Sequence, residues 1–132
     1  MRLYLDSSAL VKLVQLEVGS DPLRWFLRRY RDDERVASEL ARVEVVRSVM
    51  GGGPSAIAHA RRQLARIYLV ALGRDVLDRA ATLVPGSLAR SLDAIHLSTA
   101  QLLGSELRAL VTYDARMAQV ATSMGMTVET PR

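Results

Sequence analysis

Arg2-Leu3-Tyr4-Leu5-Asp6-Ser7-Ser8-Ala9-Leu10-Val11-Lys12 is the stretch whose reading decides the fold. Its first four residues, rich in apolar side chains, read as a short buried strand. Asp6 ends that run, and Ser7 or Ser8 can cap a helix predicted over about 9–16. Strand, acid and helix in immediate succession open an α/β unit. The pattern returns late in the chain, where a strand predicted over Leu107 to Tyr113 ends at Asp114 and a helix over Ala115 to Met124 follows.

Between these units the chain keeps alternating. Gly19 ends the first helix and Asp21-Pro22 starts a second. Leu23, Phe26, Leu27 and Tyr30 form its apolar stripe, and Trp25 falls on the opposite side with Arg28 and Arg29. Arg35 to Ala37 reads as a strand, and Ser38 as the N-cap of a helix reaching about Met50. Gly51-Gly52-Gly53-Pro54 is a break too short to be a domain linker. A helix follows from Ser55 to about Arg66, then a strand from Ile67 to Leu72. Next comes a helix from Asp75 to Val84 with Leu77, Ala80, Ala81 and Val84 as its inner stripe. Ser91 to Leu103 is a helix ended by Gly104, and Met126 to Glu129 is the last strand. Alternating strands and helices predict one α/β domain over residues 1–132, with a central, mostly parallel sheet and helices on both faces.

Bulk composition narrows the classes. A chain of 132 residues can bury a core as one domain. It has no cysteine, which excludes disulfides and thiolate-ligated metals and fits a reducing compartment. No apolar run approaches the roughly 20 residues of a membrane span, and Asp6 interrupts any signal-peptide core, so the expected location is the cytoplasm. Net charge is +4, from 18 Lys and Arg against 14 Asp and Glu, which suits a polyanionic partner as well as plain solubility. Lys12 is the only lysine and reads as a solvated head on the first helix.

Four carboxylates stand where apolar segments meet turns or helices: Asp6, Glu44, Asp93 and Asp114. Acids in such places are costly unless something pairs with them. Residues just past the carboxyl ends of parallel strands converge on one crevice. Acids gathered there repel and hold their protons more tightly unless a cation binds, which points to a hard ion of Mg²⁺ or Mn²⁺ type. Each acid has a plainer reading beside this one. Asp6, Asp93 and Asp114 can serve as helix-terminal acids, and Glu44 can pair with Arg47 three residues on.

The chain resembles the PIN-domain ribonucleases, specifically the toxin component of VapBC-type toxin–antitoxin pairs. The resemblance lies in Leu5-Asp6-Ser7-Ser8-Ala9-Leu10-Val11-Lys12 and Ser38-Glu39-Leu40-Ala41-Arg42-Val43-Glu44. It continues in Arg90-Ser91-Leu92-Asp93-Ala94-Ile95-His96-Leu97-Ser98-Thr99-Ala100 and Val111-Thr112-Tyr113-Asp114-Ala115-Arg116-Met117-Ala118. It implies that Asp6, Glu44, Asp93 and Asp114 are the acidic catalytic set of a Mg²⁺-dependent endoribonuclease, with Mn²⁺ able to substitute. Asp6, Asp93 and Asp114 are then the expected metal ligands, with Glu44 binding directly or through water. Glu39 competes for the glutamate role but would point about 140° away from Glu44 on one helix, and it already has a capping role. The resemblance also implies a cognate antitoxin, an RNA substrate and a homodimer.

Other side chains support this set or stand apart from it. Ser7 and Thr112 can orient a carboxylate or a bound water, or simply cap. Arg116 can meet a substrate phosphate or lie solvated on its helix. His96, three residues after Asp93, reads as a packed, hydrogen-bonded core residue, with proton transfer as the alternative. Trp25 with Arg28 and Arg29 reads as a partner interface, with base stacking as the alternative. Arg61, Arg62 and Arg66 read as a solvated face.

Rival functions lack their parts. Ser8 stands where a haloacid-dehalogenase-type phosphatase needs its second Asp. A phospho-receiver needs a late lysine, and Gly51-Gly52-Gly53 has no Gly-Lys-Ser/Thr after it. No Gly-x-Ser-x-Gly elbow is present. An inactive PIN-like RNA-binding or protein-interaction module is the remaining alternative.

Overall fold

Side chains alternate along Arg2–Leu5, the first strand (β1), and this alternation creates two layers. Leu3 and Leu5 enter one apolar cluster, and Tyr4 enters another on the opposite face. A computed structural model describes residues 1–132. After β1 come helices α1 (Ser7–Val14) and α2 (Ser20–Arg29), strand β2 (Glu34–Ser38), and helices α3 (Ala41–Val49) and α4 (Pro54–Leu64). Strand β3 (Tyr68–Val70), helices α5 (Arg74–Ala81) and α6 (Ser91–Gln101), strand β4 (Leu107–Val111), helix α7 (Ala115–Ser123) and strand β5 (Val128–Glu129) complete the chain.

The five strands form one sheet in the order β3-β2-β1-β4-β5, and every pairing is parallel. The expected mostly parallel sheet is therefore wholly parallel. Leu10 and Leu13 of α1, Leu23 and Leu27 of α2, Val45 of α3 and Leu64 of α4 cover one face. Leu97 and Ala100 of α6 with Met117 and Val120 of α7 cover the other. Chain order runs outward from β1 through β2 to β3, whereas β4 and β5 lie on the other side of β1. The topological switch point thus falls between β1 and β4, where such sheets open a crevice at their carboxyl ends.

Several element boundaries differ from the expected ones. Helix α1 begins at Ser7, because Asp6 is its N-cap and accepts from the Ala9 amide. Helix α3 begins at Ala41, since Ser38 is held in β2 and its hydroxyl accepts from the Leu40 amide. Glu44 therefore lies in the first turn of α3 rather than mid-helix. Glu39 is outside the helix, its amide donating to the Val70 carbonyl, so the expected helical angle between the two glutamates does not arise. Gly53 takes φ +84°, a conformation open to glycine, and Pro54 starts α4. In α5 it is Val76 that is buried, while Leu77 is 43% exposed. That helix packs on α6, and Leu77, Ala80 and Ala81 line an open groove against Ala94 and Ile95 instead of a sealed core.

Candidate functional site

All four acids sit at helix amino ends. Asp6 caps α1 and Asp114 caps α7, while Glu44 and Asp93 lie in the first turns of α3 and α6. Helix amino ends carry partial positive charge and unpaired amides, which offset the crowding of negative side chains.

Asp6 is 2% exposed, at the end of β1. One oxygen, Oδ1, accepts from the Ser8 hydroxyl at 2.6 Å and the Ala9 amide at 3.0 Å. The other, Oδ2, accepts from the hydroxyl of buried Thr112. The Thr112 hydroxyl in turn accepts from the Asp114 amide at 3.0 Å, so one hydroxyl ties two of the acids across the β1–β4 crevice. Burial raises the proton affinity of Asp6, and its hydrogen bonds from Ser8, Thr112 and the Ala9 amide only partly offset that.

Next along the chain, the Ser7 hydroxyl donates to Glu44 Oε1 at 2.7 Å. His96 Nε2 meets the same oxygen at 2.6 Å, and His96 Nδ1 meets the Tyr4 hydroxyl at 2.8 Å. Burial pushes the Glu44 carboxyl up, but the hydrogen bonds from His96 and Ser7 outweigh it and leave it below the ordinary glutamate range. Asp93 lies three residues before His96 on α6, and its Oδ2 accepts from the Arg90 amide at 3.1 Å. Asp114 Oδ1 accepts from the Arg116 and Met117 amides at 2.9 and 3.3 Å.

The structure thus links Asp6 to Asp114 through Thr112, and Glu44 to α1 through Ser7. Asp93 is joined to the group only through its helix. No three Asp, Glu or His side chains converge tightly enough in this arrangement to hold one ion. The donor chemistry fits a hard cation all the same. Glu44, Asp93 and Asp114 each use one oxygen within the chain and leave Oε2, Oδ1 and Oδ2 respectively without a hydrogen bond. Asp6 fills three of about four acceptor positions, leaving one.

Among the other expected residues, Ser7 and Thr112 touch the acids directly. Arg116 is half-buried and makes no ion pair. His96 is 2% exposed and hydrogen-bonded, in accord with its core reading, but its bond to Glu44 also brings it into the site. Ser8, expected only to cap a helix, bonds Asp6 and accepts from the Tyr113 amide at 2.9 Å. Its place two residues after a strand-end acid was the available signal. Lys12 is not a solvated head. Its ammonium donates to the Val18 carbonyl at 2.7 Å and lies 4.5 Å from the centre of the Tyr113 ring. Trp25 is 62% exposed, and Arg28 and Arg29 are exposed beside it.

Fold and site define a class: a parallel α/β domain that gathers carboxylates at the carboxyl ends of its central strands. The PIN domain family model matches residues 3–123, and the chain belongs to that family. Ribonuclease VapC46 of Mycobacterium tuberculosis is 50% identical over 129 residues, covering 98% of this chain and 97% of the relative. Ribonuclease VapC47 of the same species is 36% identical over 132 residues, covering 98% and 96%. In fold, a toxin–antitoxin complex from Klebsiella pneumoniae has a chain that matches with TM-score 0.75 at 21% identity, over 98% of both chains. VapC20 of M. tuberculosis, described as a sarcin–ricin loop cleaving toxin, matches with TM-score 0.75 at 14% identity, over 98% of this chain and 99% of that one.

Proposed function

We propose that this chain is a metal-dependent endoribonuclease, the toxin of a type II toxin–antitoxin pair. The observation that carries the reading is the acid set. Four carboxylates occupy helix amino ends, Asp6 and Asp114 follow the carboxyl ends of β1 and β4, and three of the four keep one oxygen free. The ribonuclease names of the relatives support the choice of substrate class. Asp6, Asp93 and Asp114 would hold Mg²⁺, or Mn²⁺ in its place, with Glu44 acting through water. An ion held there would supply positive charge against the phosphate and make the attacking water more acidic. Ser8 and Thr112 hold the Asp6 carboxylate in one orientation. The free oxygen of Glu44 would take a proton from the attacking water. Arg116, with no partner in the chain, is available to a substrate phosphate.

A separate antitoxin chain, a homodimer and a cytoplasmic setting complete the reading. No helix is long and apolar enough to cross a membrane. Trp25, Arg28 and Arg29 offer the antitoxin an aromatic anchor within a basic rim.

The test is cleavage of structured RNA with Mg²⁺ or Mn²⁺ and then with chelator, beside folded Asp6→Asn and Asp93→Asn variants. Metal-dependent cutting, reduced about 100-fold or more in either variant, is expected. The absence of a converged three-acid cluster favours the second reading, an inactive PIN-like module. RNA binding without cleavage would establish that reading.

A further inference from the structure

We infer that His96 is a positioning residue, which anchors one oxygen of Glu44 so that the other faces the site. This rests on the nuclease reading above and deepens it.

The geometry is a chain of buried and half-buried side chains drawn from four elements. Tyr4 is fully buried in β1 and its hydroxyl lies 2.8 Å from His96 Nδ1. His96 on α6 is 2% exposed, and its Nε2 lies 2.6 Å from Glu44 Oε1 on α3. Ser7, at the start of α1, donates to the same oxygen at 2.7 Å. Helices α3 and α6 belong to opposite layers of the sheet, so this contact joins the layers over the carboxyl end of β1.

Hydrogen-bond chemistry gives the chain a direction. A carboxylate only accepts, so Nε2 must carry the proton and donate to Glu44. In a neutral imidazole Nδ1 then accepts, and the buried Tyr4 hydroxyl donates to it. Tyr4 thereby selects the imidazole tautomer that serves Glu44. Two donors converge on Oε1 and none on Oε2. A glutamate side chain has several rotatable bonds, and a single anchored oxygen removes most of that freedom. Glu44 is the acid that most needs such a clamp, because it caps no helix, whereas Asp6 and Asp114 are held by backbone amides.

The experiment compares His96→Leu, His96→Gln and Tyr4→Phe with Glu44→Gln, alone and combined with His96→Leu. Each is assayed for RNA cleavage across a Mg²⁺ titration. His96→Leu is expected to lower cleavage about 10- to 100-fold, as loss of an outer hydrogen bond to a site ligand does. His96→Gln, which can place an amide N–H near the Nε2 position, should recover most of that loss. In the Glu44→Gln background, His96→Leu should add almost nothing, because both changes remove one function. Losses that multiply, or a Gln variant no better than Leu, would overturn the inference.

Imidazole ¹⁵N and ¹H NMR without RNA or metal gives a readout independent of activity. A slowly exchanging Nε2–H should appear in the native protein, weaken in Tyr4→Phe and in Glu44→Gln, whose amide oxygen is a poorer acceptor, and be lost in Glu44→Leu. Its absence from the native protein overturns the inference even if RNA is cut. Its presence in a protein that never cuts RNA keeps the clamp and removes the nuclease reading.

Discussion

Asp6 accepts three hydrogen bonds, yet burial still leaves its proton affinity above that of an ordinary aspartate. A raised folded pKa means that the fold prefers the neutral acid. Its contribution to stability is fully present below the ordinary aspartate range and is lost as pH rises through the raised value. Metal-free Asp6→Asn should therefore melt a few degrees higher than the native protein at neutral pH, with a flatter dependence on pH. A lower melting temperature in calorimetry would mean that the bonds from Ser8 and Thr112 matter more than the buried charge. Glu44 has the opposite sign. Its depressed pKa contributes stability above the ordinary glutamate range, lost as pH falls through the folded value. Glu44→Gln should remove part of the acid-side loss and leave the neutral-to-alkaline slope unchanged, as read from melts at successive pH values.

Single elements separate packing from recognition. In α2, Leu27 is 1% exposed and Trp25 is 62% exposed two residues earlier. Leu27→Ala should destabilise by about 2–5 kcal/mol in denaturant titration, because it leaves a cavity beneath the helix. Trp25→Ala should change stability by less than about 0.5 kcal/mol. It should weaken antitoxin binding by about 2 kcal/mol, roughly 30-fold in Kd, with RNA cleavage little altered. Unchanged antitoxin affinity by isothermal calorimetry would remove α2 from the interface. The stripe Leu23, Phe26, Leu27 and Tyr30 faces inward as its spacing requires, with Leu23 and Leu27 fully buried. The stripe expected in α5 did not seal, because that helix rests on α6 rather than on the sheet, and periodicity does not say what a helix packs against.

Across the whole molecule the two ends of the sheet do different work. At the amino ends of the strands, Asp33 pairs with Arg108 and lies 3.4 Å from the amino group of Met1, and the Arg108 guanidinium lies 4.4 Å from the centre of the Tyr30 ring. The bond from Arg108 outweighs desolvation and holds the Asp33 carboxyl below its ordinary range. Opposite charges are matched there, whereas Asp6 and Asp114 at the carboxyl ends of β1 and β4 have no cationic partner. A cation should therefore stabilise the fold through its carboxyl-end site. Mg²⁺ at about 100 times its Kd is expected to add about 2.7 kcal/mol and raise the melting temperature by several degrees. Asp93→Asn should abolish most of that shift. An identical shift in the variant would place the ion elsewhere.

Local chemistry along the chain was enough to determine the alternation of strands and helices, the parallel sheet and the four acids at element junctions. Those features depend on neighbours within a few residues, although each acid by itself also reads as a helix-terminal residue or a surface ion pair. The tertiary structure alone decided how the acids are held. Ser7 reaches Glu44 across 37 residues, His96 reaches Glu44 across 52, and Tyr4 reaches His96 across 92. Helices from opposite faces must first pack on the sheet before these side chains meet over the end of β1. The bond that turns His96 from a core residue into part of the site exists only after that packing.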